Sequence, residues 1–253
     1  MKYPIKMIVS DLDGTLLRSD KSVSEYTRSI LRKCREAGIK VAYATARGGS
    51  AERVVPSEMF DARIMMNGAV AYADDGIVYN RLIPYNTARP VLLACDRRGL
   101  MTASECSGMH YTNYVVSDIW PEITNFKIVD FALHDKDAEK LYAVVNGEED
   151  VDYIKRQLPG DLYITVSSDM LGMIMHREAT KSKALAALAR TWNIDAAEIA
   201  AFGDELNDID MLSWAGFGVA MENALGEVKA AARHSCRSND RDGVAVWIAE
   251  NVL

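Results

Sequence analysis

The stretch Ile5-Lys6-Met7-Ile8-Val9-Ser10-Asp11-Leu12-Asp13-Gly14-Thr15 decides the fold. Its first half is a short apolar run of strand length, and the run stops at two acids and a glycine, which read as a loop. An amphipathic segment follows from about Ser22, with Val23, Tyr26, Ile30, Leu31 and Cys34 on one stripe. Ser22 and Glu25 have the spacing of a capping box and Gly38 stands where a helix stops, so a helix is expected between them. A second apolar run, 39–44, then ends in Thr45-Ala46-Arg47. Strand, helix and strand at this spacing form a βαβ unit, and such units build parallel sheets with right-handed crossovers.

Further along, a helical stretch leads to a strand over 63–66, then Asn67-Gly68, then a hairpin signal at Asp74-Asp75-Gly76. From 82 to 179 the rhythm changes to a helix over 87–98, a strand over 140–145, a helix over 148–158 and a strand pair over 162–166 and 171–175. That pattern predicts an inserted α+β domain. The parallel rhythm returns with a helix over 182–192 carrying Leu185, Leu188 and Trp192, and with a strand over 199–202 ending in Gly203-Asp204. A helix over 208–215, a strand over 217–221, an Ala-rich helix and a last helix from Gly243 complete the expectation. The fold class is therefore α/β: a Rossmann-like parallel-sheet core over 1–81 and 181–253, interrupted by an α+β domain over 82–180.

Composition narrows the function. The 253 residues are 49% hydrophobic and 26% charged, the balance of a globular chain. Lys and Arg number 29 against 36 Asp and Glu, and no basic stripe stands out, which disfavours a nucleic-acid partner. A phosphorylated metabolite is not disfavoured, because local cations and a metal reverse the field inside one cleft. The four cysteines show no zinc spacing and read as free thiols of a reducing compartment. After Lys2 and Lys6 the apolar stretch is too short for a signal peptide, and no run approaches the roughly 18 residues of a membrane span. A cytoplasmic protein without a membrane partner is expected.

In an open α/β sheet the ligand crevice lies beyond the carboxyl ends of the strands. Asp11 with Asp13, Thr45, and Asp204 with Asp208 all stand at such ends. Converging carboxylates repel one another unless a cation joins them, and an all-oxygen ligand set favours a hard metal such as Mg²⁺. Lys181, at the start of its helix, adds a second positive charge. A crevice with clustered Asp, a metal, a lysine and a threonine hydroxyl suits a phosphoryl group, and a carboxylate can attack phosphorus to give an aspartyl-phosphate. Asp11 and Asp13, two positions apart, then divide the work between nucleophile and general acid/base.

These residues carry a resemblance. Asp11-Leu12-Asp13-Gly14-Thr15, Thr45, Lys181 and Gly203-Asp204-Glu205-Leu206-Asn207-Asp208 resemble, in order, the four motifs of the haloacid dehalogenase superfamily of phosphohydrolases. Asn67-Gly68-Ala69, the run 181–185, Met211-Leu212, Gly218-Val219-Ala220 and Gly243-Val244-Ala245 further resemble the Cof-like subfamily, whose large α/β cap sits where this chain has its insertion. The resemblance implies that Asp11 is the nucleophile, and that Asp13 protonates the leaving oxygen and then activates water. It implies that Asp11, the backbone carbonyl of Asp13, and Asp204 hold Mg²⁺, with Asp208 supporting the metal shell. Thr45, Lys181 and Asn207 would bind the phosphoryl group. Ala46 after Thr45 and Ser182 after Lys181 depart from the glycines common in relatives, which touches the backbone approach to substrate and no functional group.

Asn67 and Arg177 are further substrate candidates, and the cap residues His110, Tyr111, Asn113, Tyr114, Trp120 and His176 have the polar or aromatic character of a pocket lining. Asp74 and Asp75 read as a hairpin tip rather than a site. The four histidines lack ligand spacing. Met170, Met173 and Met175 read as core filling. The expected function is Mg²⁺-dependent hydrolysis of small phosphorylated metabolites, sugar phosphates first, through an aspartyl-phosphate. A phosphosugar mutase and a non-catalytic metabolite-binding protein on the same scaffold remain the alternatives.

Overall fold

A computed structural model of the chain describes residues 2–74, 76–121, 123–167 and 170–253. The chain opens with β1 (Met7–Ser10), α1 (Glu25–Glu36), β2 (Lys40–Ala44), β3 (Ala62–Met65), β4 (Val70–Ala73) and β5 (Gly76–Asn80). Next come α2 (Tyr85–Arg97), β6 (Thr102–Cys106), β7 (Met109–Thr112), β8 (Phe126–Ile128), β9 (Lys140–Val144), α3 (Glu148–Gln157), β10 (Leu162–Val166) and β11 (Leu171–His176). It closes with α4 (Lys181–Thr191), β12 (Ile199–Gly203), α5 (Ile209–Trp214), β13 (Phe217–Ala220), α6 (Gly226–Ala231), β14 (His234–Ser235) and α7 (Gly243–Asn251). Two compact units result, Met1–Asn80 with Thr180–Leu253, and Arg81–Ala179.

The first unit is built on an eight-stranded sheet in the order β14-β13-β12-β1-β2-β3-β4-β5, parallel as far as β3 and antiparallel at β4 and β5. Strands β1 and β12 are buried at every position, as a parallel sheet covered on both faces requires. Helix α1 packs beside α7, and α4 beside α5. The Asp74 tip joins β4 to β5, and its neighbour Asp75 lies outside the described residues.

Helix α1 begins later than the spacing of Ser22 and Glu25 suggests. Asp20 accepts both the amide and the hydroxyl of Ser22, so Ser22 is taken up in a turn, and Ser24 caps the helix by accepting from the Thr27 amide. Thr27, Ile30, Leu31 and Cys34 form the buried stripe, while Tyr26 is 44% exposed. The stretch between β2 and β3 holds two short 3₁₀ turns, Gly49–Arg53 and Ser57–Met59, in place of an α-helix.

The Arg81–Ala179 unit carries a six-stranded sheet in the order β10-β11-β9-β6-β7-β8, antiparallel except for the β7–β8 pair. Its core joins Val91 and Leu92 of α2, Ile154 of α3, and Leu141, Leu162 and Ile174 of the sheet. Met175 is fully buried and Met173 only partly, whereas Met170 is exposed at the turn before β11 with a left-handed backbone, so it is not core. Among the described residues, no helix is long and apolar enough to cross a membrane.

Candidate active site

Strand register brings distant residues to one end of the sheet. Ser10 pairs with Tyr43 on one side and Phe202 on the other, so Asp11, Thr45 and Asp204 follow neighbouring strands within one residue of the same level. The Asp11 amide donates to the Phe202 carbonyl and the Thr45 amide to the Ile64 carbonyl, which extends the ladder to the edge of the crevice.

Lys181 is the first residue of α4, and its side chain is 1% exposed. Its Nζ donates to Asp11 Oδ1 and to Asp208 Oδ1, both at 2.7 Å. A cation at a helix N-terminus opposes the helix dipole. Two carboxylates offset that repulsion and replace the water the ammonium has lost. Burial pulls the Lys181 ammonium down, but Asp11 and Asp208 outweigh it and push it above the usual lysine range. Burial raises the Asp11 carboxyl against the opposing Lys181 charge, and Asp208 and Asp204 raise it further.

Asp208 is fully engaged, since its Oδ2 accepts the amides of Asp204 and Glu205 at 3.0 and 3.1 Å. Asp204 accepts the Thr15 hydroxyl at 2.6 Å, and burial pushes its carboxyl up to about 6. Gly14, at φ +78°, lets the loop pass over this carboxylate, because a Cβ there would lie 2.2 Å from Asp204 Oδ2. Asp11, Asp204 and Asp208 each offer a carboxylate oxygen, all within 4.8 Å of one another, and among the described residues no other group of three metal-ligating side chains forms. Three carboxylates against the one ammonium leave an excess of two negative charges when all are ionised. This buried, all-oxygen set fits a hard divalent cation such as Mg²⁺.

Asp13 is held apart from that cluster. Arg47 donates Nε to its Oδ2 at 2.5 Å and Nη2 to its Oδ1 at 2.8 Å, and Lys21 Nζ donates to Oδ1 at 2.8 Å. Burial acts upward on this carboxyl, but the hydrogen bonds from Arg47 and Lys21 outweigh it and hold it at about 2. The Thr45 hydroxyl accepts the Arg47 amide at 3.1 Å, so the loop after β2 sets the approach of the guanidinium.

Asn67 and Asn207 meet, the Asn207 amide donating to Asn67 Oδ1 at 2.8 Å. Asn67 has φ 51°, between Met66 at 52° and Gly68 at 96°. Gly68 is forced, since a Cβ there would lie 2.1 Å from the Thr180 carbonyl oxygen, the residue that caps α4. Arg177 belongs to the other unit, where it is exposed and donates Nε to the Gly160 carbonyl. The histidines stand outside the acidic cluster: His110 is bonded to Tyr142 and His134 to Ser104 within the Arg81–Ala179 unit.

Sequence reading gave Arg47, Lys21 and Thr15 no role. Arg47 left a signal, a cation directly after the strand-end threonine. Lys21 left none, because its partner depends on the path of a turn.

The sequence profile of the haloacid dehalogenase-like hydrolases matches residues 8–248. The chain belongs to that family. Its Cof-like character extends along the chain, and the fold is that of the family, an α/β core with an inserted cap. The chain is 29% identical to the phosphatase YwpJ of Bacillus subtilis, covering 95% of this chain and 98% of that one. It is also 29% identical to the 5-amino-6-(5-phospho-D-ribitylamino)uracil phosphatase YcsE of the same organism, covering 98% and 96%. Among solved structures, the phosphatase BT1666 from Bacteroides thetaiotaomicron superposes with a TM-score of 0.84 at 25% identity, over 97% of this chain and 94% of that chain. As a haloacid dehalogenase-like hydrolase of this branch, the chain is an enzyme of the phosphatase type.

Proposed function

We propose that the enzyme is a Mg²⁺-dependent phosphatase of small phosphorylated metabolites, sugar phosphates first, working through an aspartyl-phosphate on Asp11. The observation that carries this reading is the buried Lys181 ammonium bridging Asp11 and Asp208 beside Asp204. In such a place one Asp11 oxygen is fixed by a cation while the other is left to attack phosphorus. A relative that acts on a phosphorylated ribityl compound supports a polyol or sugar phosphate as substrate class.

Asp11, the Asp13 carbonyl and Asp204 would hold the metal, with Asp208 fixing Lys181 and the loop amides. Bound there, Mg²⁺ supplies charge neutralisation for the phosphoryl oxygens and the carboxylates. Thr45, Lys181 and Asn207 bind the phosphoryl group, and Asn67 positions Asn207. Asp13 handles the protons. Its pairs with Arg47 and Lys21 favour the ionised form, which takes a proton from water; to protonate a leaving oxygen it must first exchange part of this contact for the substrate. The inserted unit over 81–179, Arg177 included, is assigned to substrate selection.

The test is phosphate release from sugar phosphates, nucleotides and pyridoxal phosphate, with and without Mg²⁺, for wild type and Asp11→Asn. Release that needs both Mg²⁺ and Asp11 is expected. A rate indifferent to either sinks the mechanism, and a positional isomer formed without free phosphate assigns the chain to mutase chemistry.

A further inference from the structure

The turn that follows Asp13 is tied down far more heavily than a surface turn needs. Arg18 donates Nη2 to Asp242 Oδ2 at 2.7 Å and Nε to Asp242 Oδ1 at 3.2 Å. Ser19 gives its amide and hydroxyl to Asp240 at 2.9 and 2.7 Å. Asn239 donates to the Leu17 carbonyl at 3.0 Å, and Asn223 donates to the Gly14 carbonyl at 2.8 Å while accepting the Asn239 amide at 3.1 Å. Segment 239–242 thus acts as a strut for residues 14–19, and Asp242 takes up a left-handed backbone, φ 54°, at its end.

At the far end of the tethered turn stands Lys21, itself left-handed at φ 65°. Glycine or asparagine adopts that conformation at lower cost, so the tethered turn holds Lys21 in a strained backbone. The side chain is half exposed, and its ion pair with Asp13 therefore adds little to stability. What the arrangement does accomplish is geometric: the ammonium meets Asp13 Oδ1 at 2.8 Å, the same oxygen that Arg47 Nη2 holds. The carboxylate is pinned from two sides by cations on separate segments.

We infer that Lys21 is a positioning residue for the second half of the reaction, fixing the Asp13 carboxylate where it receives a proton from the water that attacks the aspartyl-phosphate. This rests on the phosphatase reading above. In that step the water oxygen bonds to phosphorus, the bond between phosphorus and the Asp11 oxygen breaks, its electron pair returns to the Asp11 carboxylate, and the water proton passes to Asp13. No leaving alcohol is present then, so the clamp of Arg47 and Lys21 on Asp13 stays closed. During the first step the ester's leaving oxygen competes for Asp13, and Lys21 contributes less.

Pre-steady-state hydrolysis of 4-nitrophenyl phosphate with Mg²⁺ separates the two steps, since nitrophenolate appears in the first and phosphate in the second. Lys21→Met is expected to lower the steady-state rate about tenfold, a fraction of what general-base catalysis contributes, while the rate of the nitrophenolate burst stays unchanged and phosphoenzyme accumulates. Lys21→Arg is expected to restore the steady-state rate. An unchanged steady-state rate, or a burst slowed as much as the steady state, overturns the inference. Wild type and Asp11→Asn run alongside separate the two readings: turnover that does not depend on Asp11 removes the phosphatase mechanism itself, whereas Asp11-dependent turnover indifferent to Lys21 removes only the inference.

Discussion

Arg47 grips both carboxylate oxygens of Asp13, at 2.5 and 2.8 Å, from a loop 34 residues further along the chain. A bidentate guanidinium fixes the plane of a carboxylate as well as its charge. Arg47→Lys keeps the charge and loses the fork, so it is expected to lower kcat at least tenfold while leaving KM within about twofold. Steady-state kinetics on the best substrate of the panel checks this, and an unchanged kcat would remove Arg47 from the machinery.

The same pair gives a pH signature. Asp13 is held at about 2 against an ordinary 3.8, so its pairing stabilises the fold above pH 4 and that contribution fades as pH falls from about 4 to 2. The carboxylate is partly exposed, and solvent screening limits the effect to about 1 kcal/mol. Thermal melts of wild type and Arg47→Ala should therefore differ at pH 6 and converge as pH falls to about 2. A gap that widens on acidification contradicts the assignment.

Asp204 titrates in the opposite sense. Its carboxyl is raised from 3.8 to about 6, so this group stabilises the metal-free fold below pH 4, and the contribution is lost as pH rises through 6. A divalent cation competes with that proton. Addition of Mg²⁺ should raise Tm more at pH 7.5 than at pH 5.5, and Asp204→Asn should erase most of the difference. Equal shifts at both pH values would place the cation elsewhere.

Removing the ammonium leaves the buried carboxylates of Asp11, Asp204 and Asp208 with no cation among them. Lys181→Met is expected to cost about 3–5 kcal/mol without divalent cation, the range for stripping one partner from a buried pair. Asp208→Asn added to Lys181→Met should recover part of it. Urea unfolding of wild type, Lys181→Met, Asp208→Asn and the double variant measures both effects, and additive losses would show that the charges do not interact.

Gly14→Ala carries a smaller structural load and a larger functional one. Its Cβ would meet Asp204 Oδ2 at 2.2 Å, and φ +78° adds strain of about 1–3 kcal/mol. The loop must move away from Asp204, so loss of turnover should exceed loss of stability. Comparing kcat/KM with urea midpoints decides the point.

The strand ends were readable because parallel pairing is periodic. Apolar runs ending in Asp11, Thr45 and Asp204 place those residues at one end of the sheet whatever the loops do, and the register of Ser10 with Tyr43 and Phe202 is the physical form of that expectation. Loops carry no such period. Lys21 reaches Asp13 only because its turn folds back, and Asp20 captures Ser22 before that serine can cap α1. Tyr26 fits the helical spacing and still faces water, because Thr27, one position on, takes the buried place with its hydroxyl bonded to Asp242.

Strand β1 sits at the middle of its sheet between β2 and β12, yet Met7 finds Ile199 only after the whole inserted unit has been made. During synthesis the 81–179 segment is continuous and can form its own sheet while β1 still lacks its neighbour β12. Closing so long a loop is slow relative to local pairing. Asp11 therefore meets Lys181 and Asp204 late, and a chain truncated before residue 181 carries Asp11 without either of them.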